Sequence, residues 1–329
     1  MGKYVLKRLL LMIFTFFVIV IICFVIIRML PRELPTDENL SDIVKDRWNA
    51  LGYDKPILVQ LGIYFKNIFT RFDFGTSWNI EYMASAADVL KSRLLPTVLI
   101  NLYSLILAIP IGLSLGIIAA IKKNKWQDHF ISTIVILFVS IPSYVYAFLV
   151  QYLLYYKLKL IDTNVLYSIA DVGFDPDSSD SFKAYFTPMM FKSMIMPILA
   201  LSFGEIASLC RFTRAELTET LTEEYMLLAK AKGLTNRQAT VKHALKNAFV
   251  PILPMIIASF IGILSGSMII EEIFSIPGVG QLYIKSIRLL DYDVFMIDTI
   301  FYVFIGLLAG IVVDISYGFI DPRIRIGEK

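Results

Sequence analysis

The sequence predicts an all-α polytopic membrane protein with six transmembrane helices. Three observations carry that expectation. Hydrophobic residues make up 57% of the 329 residues, above the roughly 45–50% of soluble domains, and the mean hydropathy is +0.68. Charged residues are only 18% and are gathered between long uncharged runs. Six of those runs reach the roughly 20 residues that a helix needs to cross the hydrocarbon core.

The first run, Leu9–Leu30, follows MGKYVLKR. It is longer than a signal-peptide core, and no small-residue cleavage site follows it, so residues 1–30 read as an N-terminal segment and a retained helix. Residues 31–94 are polar but carry Trp48, Tyr53, Tyr64, Phe65, Phe72, Phe74 and Trp78. That mixture predicts a small folded domain outside the bilayer. Residues 95–329 then supply the other five spans, Thr97–Ile121, Ile131–Tyr156, Met189–Leu209, Ile252–Ile270 and Ile297–Ile320, with a polar loop at 211–250.

Pro110, Pro142 and Pro197 lie within spans and are expected to bend them. Small residues recur every four positions at Ala108, Gly112, Gly116 and Ala120, at Ala258, Gly262 and Gly266, and at Gly306 and Gly310. Each set shares one helix face, where another backbone can approach, either within the bundle or in a second subunit. Glu205 and Asp314 are the carboxylates that stand out inside spans; ion pairing of Glu205 with Arg211 or Arg214, and interfacial placement of Asp314, are the expectations. The loop at 157–188 contains DVGFDPDSSDS. It lacks the closing glutamate and ligand spacing of a calcium loop, so it reads as solvated.

Orientation follows from Lys and Arg. Segments 1–8, 122–129, 211–248 and 321–329 hold 16 of them, roughly one residue in four. On the opposite side roughly one in nine is basic. The dense side is cytoplasmic by the positive-inside rule, and both termini are then cytoplasmic.

The net charge of +3 gives no argument for nucleic acid. Cys23 and Cys210 lie in or beside apolar runs without a CxxC or metal spacing. His129 and His243 have no second ligand at helical spacing. No HExxH, GxSxG or GxxxxGK[ST] is present. The sequence therefore predicts no cofactor, no metal and no catalysis by this chain.

The polar stretch YMLLAKAKGLTNRQATVKHALKNAFVP runs from Tyr225 to Pro251. Leu217, Leu221, Tyr225 and Leu228 recur at helical spacing and predict one apolar stripe. Gly233 is a natural helix stop. Thr235 and Gln238 form a capping box that starts a second helix, with Val241, Leu245, Ala248 and Phe249 on one face. The expected element is helix, glycine turn, helix, either an interfacial anchor or a docking piece with Tyr225 and Lys232 projecting.

At Tyr225, Ala229, Ala231, Lys232 and Gly233, followed by His243, Ala244, Leu245, Asn247, Ala248 and Pro251, the chain resembles permease subunits of ATP-binding-cassette (ABC) importers. Specifically, it resembles the oligopeptide, dipeptide and nickel family, and its first, B-type permease. YVLKRLLLMI, LGYDKPILVQ, FDFGTS, EEIFSIPGVGQL with DYDVF, and VVDISYGFIDPRIR extend that likeness over nearly the whole chain. LPRELP departs from the family's usual Pro-Gly-Asp-Pro.

The resemblance implies a type I importer fold in the cytoplasmic membrane of a prokaryote. It implies four kinds of partner: a second homologous permease, two ATPase subunits, an extracytoplasmic substrate-binding protein, and membrane lipid. Tyr225, Ala229, Ala231, Lys232 and Gly233 would contact an ATPase, and His243 and Asn247 would order the loop. Pro277, Gly278 and Gly280 of the PGVG turn, with residues 31–94, would face the binding protein. Peptides lead as substrates, with nickel complexes, glutathione and opine-like solutes of the same family as alternatives. A secondary transporter would instead need repeats or broken helices bearing ion ligands.

Overall fold

The computed structural model describes residues 2–30 and 42–320. The LPRELP departure falls largely in 31–41, and the last basic segment in 321–329; both lie outside the described residues. Among the described residues five helices are long and apolar enough to cross a membrane, or six with one bent pair taken as a single span. The helices are α1 (Gly2–Arg28), α2 (Asp42–Leu51), α3 (Ile57–Arg71), α4 (Ala86–Ile121), α5 (Trp126–Ser140), α6 (Ser143–Gln151), α7 (Pro188–Thr222), α8 (Glu224–Ala231), α9 (Asn236–Ala239), α10 (Leu245–Gly262), α11 (Met268–Ile273), α12 (Val279–Arg288) and α13 (Tyr292–Ile320).

Two helices overrun their hydropathy. α4 begins at Ala86, and α7 continues to Thr222. Once started, each added residue closes another backbone hydrogen bond, so a helix need not end where the apolar run ends. Pro110 and Pro197 stay inside α4 and α7 without ending them. Thr187 starts α7 by accepting the N–H of Met190, with a proline in the first turn, where its missing N–H costs nothing.

The third predicted span is not one helix. α5 and the segment Ser143–Lys157 meet at 101°. Pro142 pushes the preceding Ile141 into extended backbone, with ψ at 128°. It also lacks the N–H that the carbonyl of Phe138 would receive in a helix. The hydroxyl of Tyr146 donates to that carbonyl instead, so the break leaves no orphan acceptor there. The fifth predicted span also stops early. Its helix gives way to a 3-10 turn, Ile263–Ser265, and ends at Gly266, whose φ is +63°. α11 then turns away.

α7 is the central helix and packs against α4, α5, α6 and α10. The α4 contact uses the small-residue face. A Cβ on Gly116 would stand 2.7 Å from the Cys210 carbonyl, and one on Gly112 would stand 3.0 Å from that of Ile206. The hydroxyls of Ser104 and Ser202 meet at 3.1 Å in the same seam. On α10 and α13, the Cβ positions of Gly262, Gly306 and Gly310 meet nothing within 4 Å. Arg214 of α7 holds Asp128 of α5 through two bonds, of 2.5 and 2.8 Å. The expected pairing of Arg214 with Glu205 is therefore wrong. Asp314 pairs with Arg8 at 3.1 Å, tying α13 to α1.

At the other end, α3 rests on α1 and on the start of α13, and α2 packs on α3. Asp293 accepts from Arg28, from the Tyr53 hydroxyl and from the N–H of Thr76 at 3.1 Å. Asp291 accepts from the Ser77 hydroxyl at 2.7 Å and from the N–H groups of Trp78, Asn79 and Ile80. Arg47 grips Asp73 with two bonds of 2.7 Å. The FDFGTS and DYDVF stretches are thus two halves of one contact.

Candidate functional site

The polar loop is built on a break. Thr220 and Thr222 turn their hydroxyls back onto the carbonyls of Leu217 and Glu219, a competition with helical bonding that weakens a helix end. α7 stops, and Glu223 is extended, with ψ at 150°. α8 begins in a new direction, so the expected single stripe through Leu217, Leu221, Tyr225 and Leu228 does not form. Leu217 is fully buried, but Leu228 is 56% exposed.

The buried face of α8 is Met226 and Ala229 instead. They pack with Leu217 and with Ala120 from the end of α4. Ala229 therefore faces inward. Tyr225 is half-buried, and its hydroxyl is enclosed without a hydrogen-bond partner among the described residues, so it does not project. The outward face carries Leu227, 68% exposed, with Leu228, Lys230, Ala231, Lys232 and Gly233.

Gly233 closes α8 as expected. Its φ is +87°, a region that L residues rarely enter. Its N–H reaches the Lys230 carbonyl at 2.9 Å, and the N–H of Leu234 reaches that of Ala229 at 3.3 Å. These are the two bonds of a Schellman motif, and Leu234 supplies its apolar contact against the same cluster. Thr235 and Gln238 form the expected capping box.

The next helix buries most of the expected face, with Ala248 in the cluster and Leu245 and Phe249 packed against it, but not Val241. Thr240–Ala244 is a π-helical turn. It spaces the buried alanines by five, Ala239 to Ala244, before the spacing of four returns at Ala248 and Ile252. Val241 is left 57% exposed. His243 and Asn247 are exposed, and neither side chain makes a hydrogen bond among the described residues. The order expected of them comes instead from the Schellman motif, the capping box and the alanine core.

The PGVG turn is also placed differently. Gly278 and Gly280 are buried and Pro277 is half-buried. A Cβ on Gly278 would collide with the Glu271 carboxylate and the Thr97 hydroxyl, and one on Gly280 would meet the backbone of Met268. The glycines are small because the chain folds against itself there, and both face inward. Glu271 is 2% exposed. It accepts from Thr97 at 3.0 Å and from the N–H of Gln281 at 3.0 Å. Burial pushes its carboxyl up to about 6, against the pull of those donors.

Sequence reasoning missed Glu271, Asp291 and Asp293. Their signal was present, since three acids within about 20 residues beside apolar spans are costly unless partnered. Among the described residues no group of three or more His, Cys, Asp or Glu is placed to hold a metal ion.

The chain matches the family described as "Binding-protein-dependent transport system inner membrane component" over residues 112–326. It is 35% identical over 327 residues to the dipeptide transport system permease protein DppB of Lactococcus lactis subsp. cremoris, covering 99% of this chain and 100% of the relative. It is 32% identical over 331 residues to the DppB of Bacillus subtilis, covering all of both chains. It is also 32% identical over 329 residues to the glutathione transport system permease protein GsiC of Escherichia coli K12, covering 99% of each. With its apolar spans and its polar loop, this chain belongs to the family of binding-protein-dependent transport system inner membrane components.

Proposed function

We propose that the chain is one of two permease subunits of an ATP-driven peptide importer, and that its polar loop takes up the stroke of the ATPases. The carrying observation is the build of the loop. α8 is fixed from behind by Met226 and Ala229, closed by Gly233, and presents Leu227, Leu228 and two lysines outward. Exposed leucines beside cations on a rigid helix suit a protein groove, which buries them, better than water.

The loop then faces the cytoplasm, as its basic residues require, and both termini lie on that side. Lacking a phosphate-binding loop, this chain leaves ATP hydrolysis to its partners. Because the same alanine core joins the loop to α4, α7 and α10, a push on α8 moves those spans together. Residues 42–94 and α12 form the face for a substrate-binding protein. Peptides are the substrate class because relatives are named for dipeptide and glutathione transport; glutathione is the specific alternative.

Cysteine cross-linking tests the loop assignment. With Cys23 and Cys210 replaced, Leu228→Cys is expected to cross-link to an ATPase subunit, and Ala229→Cys is not. Equal labelling at both positions, or none at Leu228, would contradict it.

A further inference from the structure

α7 is the most enclosed of the spans, with 56% of its apolar window buried. One strip of it remains open. Glu205, Ser208, Arg211, Ala215 and Glu219 are all exposed, and at about 100° per residue they fall within roughly a third of the helix circumference. Ala215 and Glu219 lie beyond Arg214 toward the loop, so Glu205 and Ser208 are the polar positions of the strip that stand well inside the span, where an open polar group does not suit lipid.

Glu205 is the part of this strip that lies deepest. The Arg214–Asp128 pair, beside the Lys122–Lys125 turn, marks the loop end of the bundle. Glu205 stands about 13 Å further in along α7, at about 1.5 Å per residue. That depth lies within the loop-side half of a hydrocarbon core about 30 Å thick. Among the described residues Glu205 has neither an ion pair nor a hydrogen bond. Arg214 is taken by Asp128, and Arg211 lies about 9 Å along the axis. A carboxylate at this depth, open and unpaired within this chain, suits a water-filled path or a cation that comes and goes.

We infer that Glu205 is the acceptor for the α-ammonium group of a peptide in transit, with Ser208 beside it as a neutral hydrogen-bonding neighbour. This assignment rests on the peptide reading above. A single carboxylate with one hydroxyl suits an ammonium, which has three N–H donors. It is too few oxygens for a divalent cation, and it lies too deep for a lipid headgroup amine.

The test uses the full importer, with its own partners, in proteoliposomes supplied with radiolabelled dialanine and the binding protein. Glu205→Gln is expected to lower the maximal uptake rate about tenfold, the usual worth of one charged hydrogen bond. The binding protein's stimulation of ATP hydrolysis and the recovery of all subunits should persist, and Glu205→Asp should restore much of the rate. Uptake by Glu205→Gln at the parental rate would overturn the assignment. So would loss of the second permease from the purified variant, which would make Glu205 an intersubunit ion pair. If the parent itself takes up no dialanine while still hydrolysing ATP, the peptide reading fails and this assignment fails with it.

Discussion

A Cβ atom on Gly75 would stand 2.5 Å from Oδ2 of Asp293. The two residues are far apart in the chain, and each explains the other. Gly75 holds φ at +110°, which brings the Phe72–Ser77 turn close enough for the N–H of Thr76 to reach that carboxylate. Asp293 is buried at the start of α13 because it gathers Arg28 of α1, Tyr53 and this turn at one point.

Gly75→Ala is therefore expected to cost about 2 kcal/mol or more, since strained backbone alone costs about 1–3. A lowered thermal midpoint of the detergent-purified complex would show it. An unchanged midpoint would mean that the turn has room that the geometry denies.

Gly233 makes the opposite case, because a Cβ there meets nothing within 4 Å. Only its positive φ resists substitution. Gly233→Val should cost about 1–2 kcal/mol locally and misdirect α8, lowering uptake per ATP hydrolysed while membrane insertion is preserved. Gly233→Asn should be nearly silent, since asparagine tolerates this backbone. Parallel uptake and hydrolysis assays decide it; normal coupling in the valine variant would remove the loop from the mechanism.

Glu271 gives a pH dependence with a definite sign. Its carboxyl is raised from 4.5 to about 6 in the folded chain. Between those values the folded state holds the proton more tightly than the unfolded state. Stability is then greatest below pH about 4.5 and falls by about 2 kcal/mol as pH rises through 6. Glu271→Gln should flatten that slope in melts taken from pH 4.5 to 7. A slope equal to the parent's would place the titration elsewhere.

The α5–α7 clamp is sharply asymmetric in exposure, with the Asp128 side chain 2% exposed and that of Arg214 33%. Asp128→Ala should destabilise by about 2–3 kcal/mol, below the range for a fully buried pair. Replacing both residues with apolar ones of similar volume should recover part of the loss. Equal destabilisation in the single and double variants would show that an unpaired Arg214 carries no cost of its own.

The spans were legible because hydropathy reports what lipid requires. Their ends were not, because α4 and α7 continue on backbone bonding after the apolar run stops, and Gly266 ends α10 and its 3-10 turn inside one. Pro142 was readable as a bend, but its angle depends on Tyr146 supplying the bond that proline cannot. In the loop, Gly233 and the Thr235 capping box could be read from residue type alone. The buried face of α8 could not, since the break at Glu223 and the π-helical turn at Thr240–Ala244 shift the register without a strong local signal. The role of Gly278 and Gly280 was hidden for a different reason. A glycine packed against a buried carboxylate and a glycine in an exposed turn look alike until the partner is seen.

The most direct test of the importer assignment is mild detergent extraction of the tagged chain from its native membrane, followed by mass spectrometry of the proteins recovered with it. A second six-span permease and one or two ATPases bearing phosphate-binding loops are expected, with the ATPases lost when Leu227 and Leu228 are both replaced by aspartate. Repeated recovery of the folded chain alone would contradict it.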